Sequence, residues 1–324
     1  MKRTLRALLC ITAALASMTF GARAEDAYPN RPVHIVVPFT AGGVVDSIAR
    51  IVADKLATKL GVAMVVENKP GAGGAAGTAL VATAAPDGYT LLCVSPGHVV
   101  TPSLIKVRWD PVRDFRGIEG FGVIPNVIVV PASSPVKTLP EFIALAKKSP
   151  GQLTYGTAGI GTSNHLSGEL LSQSAGLKLS HIPYKGQPDA LNDLLAGRLD
   201  MMPLTAALAA PHLKSGQLRA LAVTTARRST ALPSVPTAAE AGNLPGYEVG
   251  TWFGFVAPAK TPDAVVAKLS RDIAEILAMP DVKARLETLG MEIAPQAPPQ
   301  FDEFVKAEQT KWTTVIRQAG IVAQ

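Results

Sequence analysis

The chain has 324 residues, of which 48% are apolar, 17% charged and 5% aromatic. This is an ordinary globular composition, and it excludes a disordered, collagenous or coiled-coil chain. A chain of this length is expected to form two domains, since one domain typically takes about 100–200 residues. The formal net charge of +6 comes largely from the first 24 residues, so it does not predict a nucleic-acid partner.

The first 24 residues have the features of a secretory signal peptide. Lys2, Arg3 and Arg6 precede an apolar segment, Ala7–Phe20, and Ala22-Arg23-Ala24 is an A-x-A cleavage site. The apolar segment is shorter than the ~18 residues that a membrane-spanning helix needs. Cleavage after Ala24 removes four of the 31 basic residues and none of the 25 acidic ones, so the mature charge is about +2. We therefore expect a periplasmic protein with a nearly neutral surface and, since Cys93 is the one cysteine left, no intrachain disulfide.

Short apolar segments alternate with amphipathic ones along the mature chain. The first pair is a strand at His34–Phe39 and, after the loop 40–43, a helix at Val44–Leu60 that Gly61 ends. The elements predicted next are a strand at 63–67, a glycine-rich loop at 68–77, a helix at 78–85, and strands at 89–94 and 120–130.

The alternation resumes at a capping box, in which Thr138 and Glu141 open a helix that runs to Lys148. Strands are predicted at 153–158, 177–183, 198–203 and 218–225, with helices at 164–175, 189–195 and 206–214. A proline-containing loop at 226–247 and a strand at 251–256 follow. The tail is predicted to be helical throughout, at 263–278, 281–289 and 299–319.

This pattern of alternating strands and helices has few hairpin signals. It predicts βαβ units, mostly parallel sheets and hence an α/β protein with two domains. We expect residues 25–130 plus 250–324 to form the first domain, because the helical tail would pack back on it, and 131–249 to form the second. The chain would cross between the domains near Val130 and Gly250.

Ligands of open α/β sheets bind beyond the carboxyl ends of the strands, and the loop after the first strand is the best candidate. Gly42 and Gly43 would leave backbone amides uncovered at the start of a helix, where the dipole favours a carboxylate or phosphate. A tight turn with no ligand explains the two glycines equally well. Asp46, in the first helical turn, is placed to accept a hydrogen bond from a ligand, to orient the loop, or only to complement the dipole.

Other motifs are weaker. Gly71–Ala76 fits G-x-G-x-x-[GA], but the acidic residue that a dinucleotide needs about 20 residues later is missing, so we expect no cofactor. Gly161–His165 begins like the nucleophile elbow G-x-S-x-G but ends in histidine, which leaves a polar-ligand cradle of hydroxyls and amides. The five histidines lack zinc-ligand spacing, so no metal is expected. Tyr184 and Lys185 end a strand, where they hold a carboxylate or form an exposed turn.

Taken together, these segments resemble the Bug/TctC family, the periplasmic solute-binding receptors of tripartite tricarboxylate transporters. The matching segments span nearly the whole mature chain and include VVPFTAGGVVDSIAR (36–50), VVENKPGAGGAAGTALVATAAPDGYTLL (65–92), YGTAGIGTSNHLSGEL (155–170) and HIPYKGQPDALNDLLAGRLD (181–200). The resemblance implies a two-domain type II periplasmic binding protein, or Venus flytrap, with two crossing hinge strands. It also implies a small carboxylate ligand, membrane permease subunits as partners, no catalytic activity and, we expect, a monomer.

The resemblance further implies which residues contact the ligand. They are Phe39, Ala41, Gly42, Gly43, Asp46, Ser95, His98, Gly161, Thr162, Ser163, His165, Tyr184 and Lys185. Two segments depart from the family pattern. Val44-Val45 stands where the family usually has a residue with a hydroxyl group, and Met201-Met202-Pro203 stands where an aromatic residue is common. Both changes make the cleft more apolar, so we predict a carboxylate with an apolar or aromatic body.

Two other functions stay open at this point. An exported α/β hydrolase would use Ser163 or Ser95 as nucleophile with a histidine as base, which requires a direct contact between the two side chains. A sensor that passes the ligand signal to a membrane kinase would have the same binding domain. The sequence does not separate the sensor from the transport receptor.

Overall fold

A computed structural model describes residues 28–184 and 186–321. The predicted signal peptide lies outside the described residues, and so does Lys185. Within these two ranges, no helix combines the length and the apolar character needed to cross a bilayer.

The chain opens with three parallel strands and the helices that connect them. β1 (Val33–Val37) pairs in parallel with both β2 (Met64–Asn68) and β3 (Thr90–Val94). The helix α1 (Val44–Leu60) connects β1 to β2 and buries Ile48, Val52 and Leu56 completely, as their helical spacing predicts. The helices that follow β2 and β3 are α2 (Ala75–Ala82) and α3 (Gly97–Leu104).

One long strand, β4 (Phe115–Pro131), connects two groups of elements. Its residues 115–125 pair antiparallel with β9 (Gly250–Pro258), whereas its residues 126–131 pair antiparallel with β7 (Met202–Thr205) and β8 (Leu218–Val223). The change of partner falls between Pro125, opposite Gly250, and Asn126, opposite Thr205. β10 (Glu292–Gln296) pairs with the other edge of β4, which gives the strand order β10-β4-β9-β3-β1-β2.

The second group of elements lies between β4 and β9 in the chain. β5 (Thr154–Thr157) and β6 (Ser180–Pro183) pair in parallel, and Tyr155 bridges to Met201 just before β7. This group, with the end of β4, is called the second lobe. Its helices are α4 (Leu139–Lys148), α5 (Ser163–Ala175), α6 (Gln187–Leu195), α7 (Ala206–Lys214) and α8 (Ala238–Gly242).

The C-terminal helices return to the strands β1–β3, β9 and β10, and all these elements with α1–α3 are called the first lobe. α9 (Asp263–Leu277) packs against α1 and β4, α10 (Pro280–Thr288) against α1 and β10, and α11 (Pro298–Ala319) against α3 and β4. Helices therefore flank the sheet, and the predicted α/β class is confirmed.

Several predicted elements differ from the structure. The tail is not helical throughout, because β10 interrupts it; a short segment containing Pro295 becomes a strand only by pairing with β4, a contact that no local pattern encodes. The predicted loop 226–247 contains α8, which begins at a capping box of Thr237 and Glu240. The helix predicted at 78–85 occupies Ala75–Ala82, and α3 was missed because Pro102 lies within it.

Candidate ligand-binding site

A cavity of about 320 Å³ lies between the two lobes and is called the cleft cavity. Every described residue that lines it is uncharged. The apolar walls come mainly from Phe39, Val44, Val45, Val100, Leu104, Ile124, Ile160 and Phe253, and the polar side chains are Ser95, Thr101, Thr162, Ser163, Asn164, Gln187, Thr205 and Thr251. Charge on a ligand would therefore have to be met by backbone amides, hydroxyls and helix dipoles.

A side chain of α1 holds the turn that precedes this helix. Gly42 has a left-handed backbone (φ +82°), and its N–H donates to the Asp46 carboxylate at 2.8 Å. The same carboxylate accepts hydrogen bonds from Arg50 Nε at 3.0 Å and Asn68 Nδ2 at 2.9 Å, and Asn68 also donates to the Phe39 carbonyl. The expectation that the Gly42 amide is uncovered is therefore wrong, because Asp46 occupies it and orients the loop.

Asp46 is held as a carboxylate at this turn, where it forms an ion pair with Arg50. Burial by itself would raise the pKa of the Asp46 carboxyl, but hydrogen bonds from Arg50, Gly42 and Asn68 together bring it below its usual value. The carboxylate is 3% exposed, and neither it nor residues 41–43 line the cleft cavity. The first turn of α1 reaches the cavity at Val44 and Val45 instead.

The turn before α5 is built in a similar way but with a neutral acceptor. Gly161 is also left-handed (φ +78°), and its N–H donates to His165 Nδ1 at 3.2 Å. Thr162 caps the helix, since its hydroxyl accepts from the His165 amide at 3.4 Å and donates to the Gly159 carbonyl at 2.7 Å.

The first amides of α5 face the cleft side of this turn. The first intrahelical hydrogen bond runs from the Leu166 amide to the Thr162 carbonyl (2.9 Å), so the amides of Ser163 and Asn164 come before it. Both of these residues line the cleft cavity. The Thr251 hydroxyl of β9 donates to Ser163 Oγ at 2.7 Å, which leaves the Ser163 proton available to a ligand.

His165 supports this turn from behind. Its ring is 3% exposed and stacks on His181, with 4.1 Å between ring centroids, and His181 stacks in turn on Tyr155. Burial, and then the neighbouring His181, lower the pKa of His165 to about 3, while burial lowers the pKa of His181 to about 4. Both rings are neutral near pH 7, and His165 therefore acts as an uncharged acceptor that does not itself line the cavity.

The remaining predicted residues are divided between the cavity and the protein interior. Ser95 lines the cleft cavity, and its hydroxyl has no hydrogen-bond partner among the described residues. His98 does not line it; the ring stacks on Trp109 and donates from Nε2 to the Pro111 carbonyl at 3.0 Å. Burial lowers the pKa of His98 to about 4. The Tyr184 hydroxyl donates to Asp193 at 2.7 Å, also away from the cavity lining.

The side-chain pair that a serine hydrolase needs is not formed by residues 28–184 and 186–321. Ser163 Oγ is bonded to Thr251, and neither Ser163 nor Ser95 makes a hydrogen bond to a histidine ring. The nearest histidines along the chain, His98 and His165, are bonded to backbone groups instead. In the same ranges, no three histidine, cysteine or carboxylate side chains converge as metal ligands.

Sequence reasoning missed several lining residues from later strands and helices. Thr251 is the second residue of β9, and the rule that crossing strands border a cleft would have indicated it. Gln187 begins α6, and its Oε1 accepts from both the amide and the hydroxyl of Thr205, at 3.0 and 3.1 Å. The Gln187 amide group is then left to donate into the cavity, which no local sequence signal predicts.

The chain is similar to known proteins over nearly its whole length. The family model described as "Tripartite tricarboxylate transporter family receptor" matches residues 48–321. The UPF0065 protein in the tcbD-tcbE intergenic region of Pseudomonas sp. (strain P51) is 42% identical over 306 residues, covering 94% of this chain and 91% of that protein. The solved structure of R. palustris Rpa4515 with adipate has a TM-score of 0.76 at 35% identity, over 91% of this chain and 100% of that one. The periplasmic binding protein BugD has a TM-score of 0.73 at 37% identity, with the same coverage.

Proposed function

Because the chain belongs to the tripartite tricarboxylate transporter receptor family, we propose that it is a periplasmic receptor, and not an enzyme, that binds a small carboxylate in the cleft cavity and delivers it to the membrane permease of such a transporter. The family and the periplasmic-binding-protein fold inferred from the sequence are confirmed. Export through a cleaved signal peptide at residues 1–24 is part of the proposal.

The start of α5 receives the carboxylate group in this proposal. It offers the amides of Ser163 and Asn164, the proton of the Ser163 hydroxyl and the positive end of the helix dipole. The start of α1 is less suitable, since Asp46 already places a negative charge against the Gly42 amide. The observation that carries the proposal is a wholly uncharged described lining that includes the start of α5 and its donors.

The opposite walls define the rest of the ligand. Phe39, Val44, Val45 and Leu104 of the first lobe and Ile160 of the second lobe line the cavity, and they favour a carboxylate with an apolar or aromatic body. The solved relative that contains adipate is compatible with this class, because the middle of adipate is an apolar chain. The roles first assigned to Ala41, Gly43 and Lys185 stay predictions.

The two lobes are proposed to close on the ligand as two domains, residues 25–130 plus 250–324 and residues 131–249. β4 changes partners between Pro125 and Asn126, opposite the start of β9 at Gly250, so these two strands form the hinge. A ligand that contacts both lobes favours the closed form only by its tighter binding to that form. The closed surface would then be recognised by the permease.

The test is a thermal-shift and calorimetric screen of the purified mature chain against benzoate, phenylacetate, adipate and malate. A binding carboxylate at ~100 times its dissociation constant should raise the free energy of unfolding by about 2.7 kcal/mol. We expect the apolar and aromatic acids to bind more tightly than malate.

A matched pair of variants tests whether the ligand binds in the cleft cavity. Val44 and Leu80 are similarly exposed, at 46% and 45%, but Val44 lines the cavity and Leu80 lies on α2 outside it. Val44→Trp should fill the cavity and abolish binding, whereas Leu80→Trp should leave the affinity unchanged. The proposal is wrong if no carboxylate stabilises the protein, or if Val44→Trp binds as the unaltered chain does.

A further inference from the structure

The hinge strands have a second cavity on the face that points away from the cleft. Ile124 and Thr251, which are opposite each other in the β4–β9 ladder, line the cleft cavity. The adjacent pair, Val123 and Trp252, lines a separate cavity of about 410 Å³, called the hinge-side cavity. Since successive side chains of a strand point to opposite faces, the two cavities lie on opposite sides of the same two strands.

Both lobes contribute to the hinge-side cavity. The segment after β8 (225–228 and 230) forms one wall, and β10 with α11 forms the other. Two hydrogen bonds link the lobes beside this cavity: the Thr230 amide donates to Glu292 Oε1 at 2.9 Å, and Lys311 Nζ donates to the carbonyl of Glu248, just before β9, at 3.2 Å. Any rotation of the lobes about β4 and β9 therefore changes the width of this cavity.

The floor of the cavity is aromatic. Trp252 packs edge-on against Phe304, with 5.4 Å between ring centroids, and both line the cavity. The Trp252 indole is held by a hydrogen bond from Nε1 to Glu308, which also accepts from Trp312 and contacts Lys311. The polar atoms beneath the floor are therefore satisfied, and the Phe304 ring is left partly exposed to an apolar or aromatic group.

Three charged side chains of the lining, Arg227, Glu248 and Glu292, have no ion-pair partner among the described residues, and Glu292 accepts the Thr230 amide instead. Arg228 is paired with Glu240 and Lys311 with Glu308, whereas Arg227 and Glu248 form no salt bridge in that part of the chain. A guanidinium, a carboxylate and two aromatic rings in the lining of one cavity match a ligand that carries both charges and a ring.

We propose that the hinge-side cavity is a second binding site, for a zwitterion with an aromatic side chain such as an aromatic amino acid. Arg227 takes the ligand carboxylate, Glu248 takes its ammonium group, and Trp252 and Phe304 contact the ring. If the lobes close on a cleft ligand as proposed above, the walls of this cavity separate, so the two ligands should oppose each other's binding by the same factor.

The experiment is calorimetric titration of the mature chain with L-phenylalanine. We expect one site, and binding about tenfold weaker for 3-phenylpropanoate, which lacks the ammonium group, and for 2-phenylethylamine, which lacks the carboxylate. Arg227→Gln and Glu248→Gln should each weaken the binding of L-phenylalanine about tenfold. The control variants Arg113→Gln and Glu303→Gln change exposed charges outside both cavities and should bind normally.

The Val44→Trp variant separates this proposal from the proposed function. With the cleft cavity filled, L-phenylalanine should still bind, so the site is testable even if no carboxylate binds the cleft. In the unaltered chain, a carboxylate that saturates the cleft cavity should then weaken the binding of L-phenylalanine by about fivefold or more. The second site is wrong if L-phenylalanine does not bind, if the three probes bind equally well, or if Val44→Trp loses L-phenylalanine binding. The coupling between the sites is wrong if L-phenylalanine binds with unchanged affinity while the cleft is occupied.

Discussion

The helices α1 and α5 begin on opposite sides of the cleft with the same turn and different chemistry. In each turn a left-handed glycine, Gly42 or Gly161, donates its N–H to the side chain four residues ahead. That side chain is the carboxylate of Asp46 in the first turn and the neutral imidazole of His165 in the second. The backbone geometry is therefore shared, and only the charge of the acceptor differs.

This difference decides which helix start suits an anion. A partly buried N–H needs an acceptor, and either side chain supplies one. A carboxylate also offsets the positive end of the helix dipole and repels a second anion, whereas a neutral ring leaves the dipole available. The residue at the third helical position therefore gives the two turns different electrostatics.

The largest expected effect comes from removing the charged acceptor. Asp46→Ala leaves the Gly42 amide, Arg50 and Asn68 without their shared acceptor, so the free energy of unfolding should fall by about 3 kcal/mol. Urea denaturation followed by circular dichroism measures this loss. Asp46→Asn keeps one acceptor oxygen and should lose clearly less. Equal stability of Asp46→Ala and the unaltered chain would mean that the carboxylate does not hold the turn.

The neutral acceptor should make stability depend on pH. The pKa of His165 is about 3 in the folded chain, against an ordinary value of 6.5. As the pH falls below 6.5, the unfolded chain therefore takes up a proton that the folded chain does not, and the free energy of unfolding decreases. This residue should contribute a loss of about 2 kcal/mol between pH 7 and pH 5.

The variant His165→Asn isolates that contribution, because asparagine does not titrate in this range. The stability advantage of the unaltered chain over the variant should shrink by about 2 kcal/mol from pH 7 to pH 5, measured by urea denaturation at both values. A constant difference would show that the buried ring carries a proton in the folded protein and is not a neutral acceptor.

A matched pair of glycine variants compares the turns directly. Gly42→Ala and Gly161→Ala should each lose about 1 kcal/mol of stability, because alanine is strained at a positive φ. A Cβ on Gly42 meets nothing within 4 Å, whereas one on Gly161 lies 2.9 Å from Leu104 Cδ1. Leu104 lines the cleft cavity, so only Gly161→Ala should also weaken the binding of the cleft ligand, as calorimetry measures it. Equal affinities of the two variants would contradict the proposed position of the ligand.

The smallest expected effect concerns the Thr251 hydroxyl, which links β9 to α5. Thr251→Val keeps the side-chain shape but removes the hydrogen bond to Ser163, which should cost about 1 kcal/mol of stability. Ligand affinity should fall as well, because the Ser163 hydroxyl is no longer oriented. A variant that loses stability but keeps full affinity would exclude Ser163 from the ligand contacts.

Much of the fold followed from local patterns. The apolar spacing of Ile48, Val52 and Leu56 and the stop at Gly61 predicted α1 with its observed bounds. Elements that depend on a distant partner did not follow: β10 exists as a strand because β4 offers it an edge. β4 itself is longer than predicted, because its first residues gain their ladder only from β9.

The sequence predicted the candidate site only in part, as it did the fold. Of the residues proposed from the sequence, Phe39, Ser95, Gly161, Thr162 and Ser163 line the cleft cavity. Asp46, His98, His165 and Tyr184 are the right chemical types in the right segments, but each is bonded to another part of the protein instead. Proximity in the chain therefore identified some of the segments that reach the cavity without determining which side chains line it.

The sequence by itself determined the family, the alternation of strands and helices, and the glycine turns before α1 and α5, since these depend on residue type and short-range spacing. Only the tertiary structure decided that a charged group accepts the glycine N–H in one turn and a neutral group in the other, and that β4 and β9 have a cavity on each face. A polar side chain takes its hydrogen-bond partner and its burial from residues that packing brings together, such as His181 beside His165. Those contacts set its charge and its direction, and they are not encoded in any local pattern.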